Sequence, residues 1–400
     1  MSRHSRVMAT LVVVLLAWRP AEAKDTPGVT ATEIKIGQTM PYSGPASAYA
    51  AIGKGELAFI KMVNDKGGIK GRKITLLSVD DGYTPAKTVE QIRKLVESEG
   101  VALIFNSLGT APNSAIQKYL NQKKVPQLFV ATGADKWADP EHFPWTMGWQ
   151  PSYRIEARIY ARYILAQKPA AKICVLYQND DFGKDYLVGL KDIFKDKYAT
   201  MVIKEASYEV TDPTVDSQVA TLQAANCDTL VTAATPKFAA QTIRKVYDIG
   251  WKPLHFMTNV SVSISSVLTP AGPEKAVGMI TGAYLKDPSD PEFQNEPGMN
   301  EWRDFMKKYM PEADAKDVNY VYAYGVATTL VQVLTQCGDD LSRENVMKQA
   351  ASLKGLKLGV AVPGTELNTG PNDFRPFSQM QLAKWNGKTF ERFGAVLSGD

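Results

Sequence analysis

Cysteine is scarce in this 400-residue chain: only Cys174, Cys227 and Cys337 occur. An odd number, in separate predicted elements, argues against a disulfide framework even for an exported chain. Cys174 falls inside a predicted strand and reads as a small buried apolar residue. Histidine is as rare, and beyond residue 23 only His142 and His255 remain, far apart and without metal-ligand spacing. The patterns GxSxG, HExxH and GxxxxGKS/T are all missing, which removes the nucleophile elbow, the zinc-protease helix and the phosphate-cradling loop. Excess charge is lacking too. The net charge is +4 for the whole chain, and about +2 once residues 1–23 are set aside. No basic tract appears, so no nucleic-acid partner is expected. Arg154, Arg158 and Arg162 share a helical stripe, which reads as a solvated face.

Long apolar runs are confined to the start. Arg3 and Arg6 precede the short apolar core Val7–Trp18, and Ala21-Glu22-Ala23 forms a small-x-small cleavage site. This is a secretory signal cleaved near Ala23, too short to anchor stably in a bilayer. No cysteine follows the cut before Lys24, which argues against a lipid anchor. Hydrophobic residues at 44% and charged ones at 22% describe a soluble globular chain, long enough for more than one lobe.

What is present is alternation. Strand candidates Ile34–Met40, Ile74–Val79, Val101–Phe105 and Pro126–Ala131 are separated by helix-periodic segments, one near 53–66 and one at Thr84–Glu99. The latter starts with Thr84 as N-cap and Pro85, and Gly100 ends it. The pattern then restarts with Lys172–Tyr177, Met201–Ala206, Asp228–Ala233 and Leu254–Thr258, with helices near 183–197, 214–225 and 236–249. The fold class is therefore α/β, as two doubly wound parallel-sheet lobes in tandem. Asn319–Gln336 is a helix returning to the first lobe, and Met380–Trp385 with Phe390–Val396 form a closing hairpin around Asn386-Gly387. Lobe 1 is expected over residues 24–148 plus 284–362, and lobe 2 over 149–283 plus 363–400. Crossings near Gly148–Pro151, Gly282–Lys286 and Val362–Thr365 make a multi-strand hinge.

Ligands of such sheets sit beyond the carboxyl ends of the strands. The stretch Val101–Asn113 (VALIFNSLGTAPN) is the focus: a buried strand, the small polar run Asn106–Ser107–Leu108–Gly109–Thr110, then a helix capped by Thr110 with Pro112 in its first turn. Free backbone N–H groups and the positive end of a helix dipole there suit an anion, and Gly109 allows close approach of a ligand. Asp80-Asp81 and Asp180-Asp181 also lie at strand ends. Neighbours on extended chain point to opposite faces, so these pairs read as turn and N-cap residues rather than a hydrolase dyad. The residues argue for binding without chemistry, and no cofactor or metal is expected.

These segments resemble the leucine/isoleucine/valine-type solute-binding proteins that feed ABC importers, with the type I periplasmic binding fold. The resemblance rests on Met40–Tyr49 (MPYSGPASAY), the GGIxGRK stretch within Ile60–Lys73, Val79–Pro85 (VDDGYTP), Val101–Thr110, Lys172–Tyr186 and Asp228–Thr235, and spans about Thr32 to Val396. It implies a periplasmic monomer that closes two lobes on a small solute and docks on a membrane permease served by ATPase subunits, without itself entering the membrane. Positions matching the family pocket are Tyr49, Leu108, Gly109, Thr110, Ala131, Thr132, Gly133, Phe182 and Thr235. Ser107 joins them from the polar run, and Asn259, Val260 and one of Asn319 or Tyr320 match more loosely. The family's disulfide positions carry Tyr83 and Leu108 here.

The departures bear on the ligand. Amino-acid binders hold the ligand ammonium with an acidic side chain at the last strand end of lobe 2, yet His255–Leu268 contains no Asp or Glu. Gly133 stands where a hydroxyl would assist. An unpaired ammonium in a closed cleft is costly. The expected ligand is thus a carboxylate without an α-amino group, and Tyr42, Tyr49, Tyr83, Trp149, Phe182, Tyr320 and Tyr322 favour an aromatic or other apolar acid. Alternatives are a binder of branched-chain amino acids or amides, a sensory ligand-binding protein and, last, an exported hydrolase.

Overall fold

The structure, a computed structural model, describes residues 26–399, so the secretory signal and its cleavage site lie outside the described residues. The first half lays down β1 (Glu33–Met40), α1 (Ala50–Asp65), β2 (Lys73–Asp80), α2 (Pro85–Arg93), β3 (Ile104–Phe105), α3 (Thr110–Gln122), β4 (Gln127–Val130) and β5 (Thr146–Gly148). Their strands form one five-stranded parallel sheet in the order β2-β1-β3-β4-β5. Then come α4 (Tyr153–Gln167), β6 (Ile173–Gln178), α5 (Asp181–Phe194), the single turn α6 (Tyr198–Met201), β7 (Val202–Tyr208), α7 (Asp216–Ala224), β8 (Thr229–Ala233), α8 (Pro236–Asp248), β9 (Leu254–Met257), the short α9 (Thr269–Ala271) and β10 (Ile280–Ala283). Helices α10 (Pro297–Tyr309), α11 (Val318–Gln336) and α12 (Arg343–Ala350) follow, and β11 (Gln379–Trp385) and β12 (Phe390–Ser398) end the chain. The second sheet has seven strands, β12-β11-β10-β9-β8-β6-β7, parallel except for the last hairpin.

The strands form where runs are apolar on both faces. Four of the six residues of β6 are Ile, Cys, Val and Leu, and all four are fully buried, as expected of a parallel strand covered by helices on both sides. Burial of each such aliphatic side chain contributes about 1.5–3 kcal/mol. The predicted strand Val101–Phe105 shortens to β3 because Arg343 on α12 takes the Val101 and Ala102 carbonyls at 2.8 Å. Strands β5 and β10 were not foreseen; they are three and four residues long and carry too little alternation to stand out. Thr84 does sit at the N-cap of α2, although its hydroxyl bonds the Gly82 carbonyl instead of capping.

The chain passes between the sheets at the hinge. After β10, Leu285 bridges Ala361, with Lys286 N–H donating to the Val360 carbonyl and Val362 N–H to that of Tyr284. Helix α11 then lies against α1, where Gly55 admits it: a Cβ there would meet Ala323 Cβ at 2.7 Å.

Two sequence expectations fail here. The arginine stripe is not simply solvated: Arg154 and Arg158 on α4 both hold Asp192 on α5, at 2.6 and 2.7 Å, and Arg162 reaches the Ser398 carbonyl. Cys174 is not a lone thiol. It is bonded to Cys227, with Cα atoms 5.7 Å apart, while Cys337 is free and buried. The pair was invisible because it joins residues 53 apart, and only the pairing of β6 with β8, Ile173 opposite Thr229, brings them together. Replacing both cysteines by alanine should lower the unfolding free energy by about 2–4 kcal/mol. Titration of the denatured, unreduced protein should find a single thiol, and three would refute the bridge.

Candidate functional site

Between the sheets lies a cleft lined by residues from both. On the lobe 1 side, β3 ends in residues whose polar groups are used inside the lobe. The Ser107 Oγ accepts the Thr39 N–H at 3.0 Å and the Ser107 carbonyl accepts the Ala131 N–H. Gly109 is the N-cap of α3 and has φ of 102°, open to glycine but strained for other residues. Thr110 is therefore the first helical residue and not the cap, and its hydroxyl bonds that of Thr132. Pro112 has no N–H, so the helix start offers the N–H groups of Thr110 and Ala111, which bond no protein acceptor among the described residues. What approaches Gly109 closely is protein: a Cβ there would stand 2.5 Å from the Tyr83 ring.

Of the residues foreseen, Tyr49, Leu108, Gly109, Thr110, Ala131, Thr132, Phe182, Thr235, Asn259, Val260 and Asn319 line the cleft. Four do not. Ser107 is committed to the β1 and β4 backbone, as above. Gly133 is packed against the crossing chain, where a Cβ would lie 2.6 Å from the Pro151 carbonyl, so it is an obligatory small residue and not a lost hydroxyl. Trp149 is fully buried in the hinge, edge-on to Tyr322 and Phe377 at 5.0 and 5.2 Å, with its indole N–H on Thr329. Tyr320 packs on Gly55 of α1 and accepts the Trp302 indole N–H through its carbonyl. Tyr42 is likewise spent inside lobe 1, hydrogen-bonded to Ser78.

The lining also contains Tyr83, Tyr153, Tyr284, Tyr322 and Phe390, together with Gln150, Ile52, Val262, Ile264 and Thr281. Gln150, Tyr153, Tyr284, Thr281 and Phe390 come from the crossings and the end of the second sheet, away from the strand-end turns. Tyr153 tilts against Phe182 at 4.6 Å. Burial pushes the phenols of Tyr49, Tyr83 and Tyr153 up, so they stay neutral. The acid search over His255–Leu268 holds for that run, but Asp287 joins the lining from the hinge, and Lys316 from the chain just before α11. The Asp287 carboxylate accepts N–H groups of Ser289 and Phe390.

The Asp pairs hold turns and helix starts. Asp80 accepts from Ser43 and Gly82 and pairs with Lys87; Asp81 accepts from Tyr83 and Thr88; Asp180 caps α5. Among the described residues no cluster of His, Cys, Asp or Glu could hold a metal, and no helix is long and apolar enough to cross a membrane.

The lobes touch across the cleft. Tyr49 and Ser261 hydroxyls are 3.5 Å apart, Ser263 donates to Asp317 at 2.9 Å, and Asp185 accepts the Asp135 N–H at 2.7 Å. Burial pushes Asp185 up to about 7. A carboxylate raised above its ordinary 3.8 makes its full contribution below 3.8 and loses it as pH rises through about 7. Asp185→Asn keeps the acceptor and removes the charge. Its Tm should equal the wild type's near pH 4 and exceed it by about 2–4 °C at pH 8. An equal offset at both values would reject the assignment.

A model of the periplasmic binding protein family matches residues 33–389. Leu/Ile/Val-binding protein homolog 1 of Brucella abortus is 27% identical over 335 residues, covering 80% of this chain and 84% of that protein. Homolog 7 of the same organism is 24% identical over 88% of this chain and 89% of its own length. Among solved structures, a fatty acid ABC transporter substrate-binding protein from Thermomonospora curvata superposes with a TM-score of 0.80 at 22% identity, covering 95% of this chain and 96% of that one. A branched chain amino acid ABC transporter from Thermus thermophilus with bound valine gives 0.83 at 16% identity, over 92% and 97%. These likenesses to solved structures support the fold alone.

Proposed function

The chain belongs to the periplasmic binding protein family of the Leu/Ile/Val-binding type, and on that premise we propose that it receives a small apolar organic acid, aromatic by preference, for an ABC importer. In this reading the protein is exported to the periplasm, closes its lobes on the solute and delivers it to permease and ATPase subunits without transforming it. The carboxylate sits at the start of α3, on the N–H groups of Thr110 and Ala111, beside the Thr110–Thr132 hydroxyl pair. Tyr49, Tyr83, Tyr153 and Phe182 wall the apolar body.

The observation that carries the proposal is the contrast between the two walls. One offers unpaired N–H donors, while the facing strand-end run of lobe 2 presents Asn259 and Val260 with no acid among residues 255–268. An α-ammonium desolvated there would find no counter-charge on that run, at a cost of several kcal/mol. Among the described residues the one carboxylate of the lining, Asp287, is held by the Ser289 and Phe390 N–H groups. The names of the relatives leave room for this: one structural neighbour is described as a fatty acid binder, another holds valine.

A thermal-shift panel of aromatic and aliphatic acids against leucine, isoleucine and valine tests the reading. A true ligand at a hundred times its Kd should add about 2.7 kcal/mol of stability, a shift of several degrees. Stabilisation by the amino acids alone would reject it. Recovery of the ligand unchanged after incubation would separate binding from hydrolysis.

A further inference from the structure

Glu156, in the first turn of α4, is fully buried, and no cation figures among the influences on its carboxyl group. Donors surround it instead. The hydroxyls of Tyr160 and Tyr186 lie on its two oxygens, the single proton of Tyr160 being shared between Glu156 Oε1 and the Met257 carbonyl at 2.8 Å. The remaining donors both come from one residue of the cleft wall: the Asn259 backbone N–H reaches Oε1 at 2.9 Å, and the Asn259 side-chain amide nitrogen reaches Oε2. The two tyrosines are fixed in turn. Tyr160 takes the Gly282 N–H on β10 at 2.9 Å, and Tyr186 contacts the Thr258 hydroxyl at 2.6 Å.

This geometry decides which end of the Asn259 amide meets the ligand. Burial raises the Glu156 carboxyl, but the hydrogen bonds it receives from Tyr160, Tyr186 and both Asn259 groups oppose the rise and hold it as an acceptor. The amide therefore turns its NH2 inward, because the opposite rotamer would set oxygen against oxygen in a buried site. The Asn259 Oδ1 is then the free end of a side chain that is half-buried and part of the cleft lining. That oxygen accepts no hydrogen bond among the described residues and is not sealed from solvent, since it is absent from the buried unpartnered atoms.

We infer that Glu156 is a positioning residue that sets ligand specificity: it locks Asn259 so that a neutral acceptor faces the cleft, and the ligand is an organic acid carrying a single-proton donor, a hydroxyl or amide N–H, away from its carboxylate. The inference rests on the acid-binding reading above and sharpens it. A neutral carbonyl oxygen accepts one or two protons and carries no formal charge, which matches a hydroxyl or amide N–H, whereas an ammonium brings three protons and a full positive charge. The class is thus a hydroxy or amido acid rather than an amino acid or an unsubstituted one.

The test uses the full mature chain and Glu156→Gln, which keeps the side-chain shape. The substituted amide would still accept the Asn259 backbone N–H through its oxygen, but its own NH2 would face the Asn259 side chain. Asn259 then turns its oxygen inward and its NH2 to the cleft. Calorimetry with benzoate, the three hydroxybenzoates and their methoxy counterparts reads the consequence. In the wild type at least one hydroxy acid should bind about tenfold more tightly than its methoxy ether, the worth of one buried hydrogen bond. In E156Q that ratio should fall to about unity or invert, with the circular dichroism spectrum unchanged. A ratio that survives the substitution overturns the inference. Independently of any ligand, the Asn259 side-chain amide signal, identified by its loss in Asn259→Ala, should lie downfield in the wild type and move upfield in E156Q. The same position in both overturns the locking role. If no acid binds either protein, the acid reading and the ligand class fall together, and the amide signal alone then upholds or overturns the role of Glu156.

Discussion

The burial of Trp149 at the meeting point of the crossings is the constraint on which the cleft depends. Its indole sits edge-on to Tyr322 of α11 and Phe377 of the returning chain, and 6.1 Å from Tyr284 just after β10. Its N–H is satisfied by the Thr329 hydroxyl at 3.0 Å. Rings in such contacts each add about 0.5–1.5 kcal/mol beyond the area they bury. Segments from both lobes thus share one apolar core, and the backbone bonds among Tyr284, Lys286, Val360 and Val362 stiffen it. The residues that face one another across the cleft are therefore set by the core behind them.

Among the described residues, charge enters the cleft lining only at Asp287 and Lys316. The helix start supplies donors through backbone geometry, and burial holds the tyrosines neutral. The carboxylates near the wall are engaged: Asp180 caps a helix, Asp287 accepts backbone N–H groups, and Glu156 sits behind Asn259. Burial raises Asp180 to about 6 and raises Glu156 as well, and each is held by several hydrogen bonds that oppose the rise. In low dielectric a set of oriented dipoles discriminates by which protons and lone pairs it can match, more than by net attraction.

Membership of the family sets the scaffold and leaves the lining free to vary. Tyr83 and Leu108, at the positions where the resemblance implies a family disulfide, both line this cleft, and the Tyr83 ring fills the space beside Gly109. The covalent link present in this chain lies in lobe 2 instead, between β6 and the start of β8.

Much of the architecture was readable along the chain. Periods of two and 3.6 are local properties, so the strands from β1 to β4 and β6 to β9, the terminal hairpin and most intervening helices could be placed within a few residues, and strand-end turns pointed to Tyr49, Thr110, Thr132, Phe182 and Thr235. Three outcomes were beyond reach for one reason, that they depend on which distant segments become neighbours. Trp149 turned from a wall into a hinge core, Cys174 found a partner 53 residues away, and Glu156 met Asn259 across 103 positions. The amino-acid order by itself determined the two largely parallel sheets and the helix start after β3, since both follow from short-range periodicity and turn chemistry. Only the tertiary structure decided which side chains the cleft exposes and which way they point, because burial and hydrogen-bond partnership belong to pairs of residues brought together by folding.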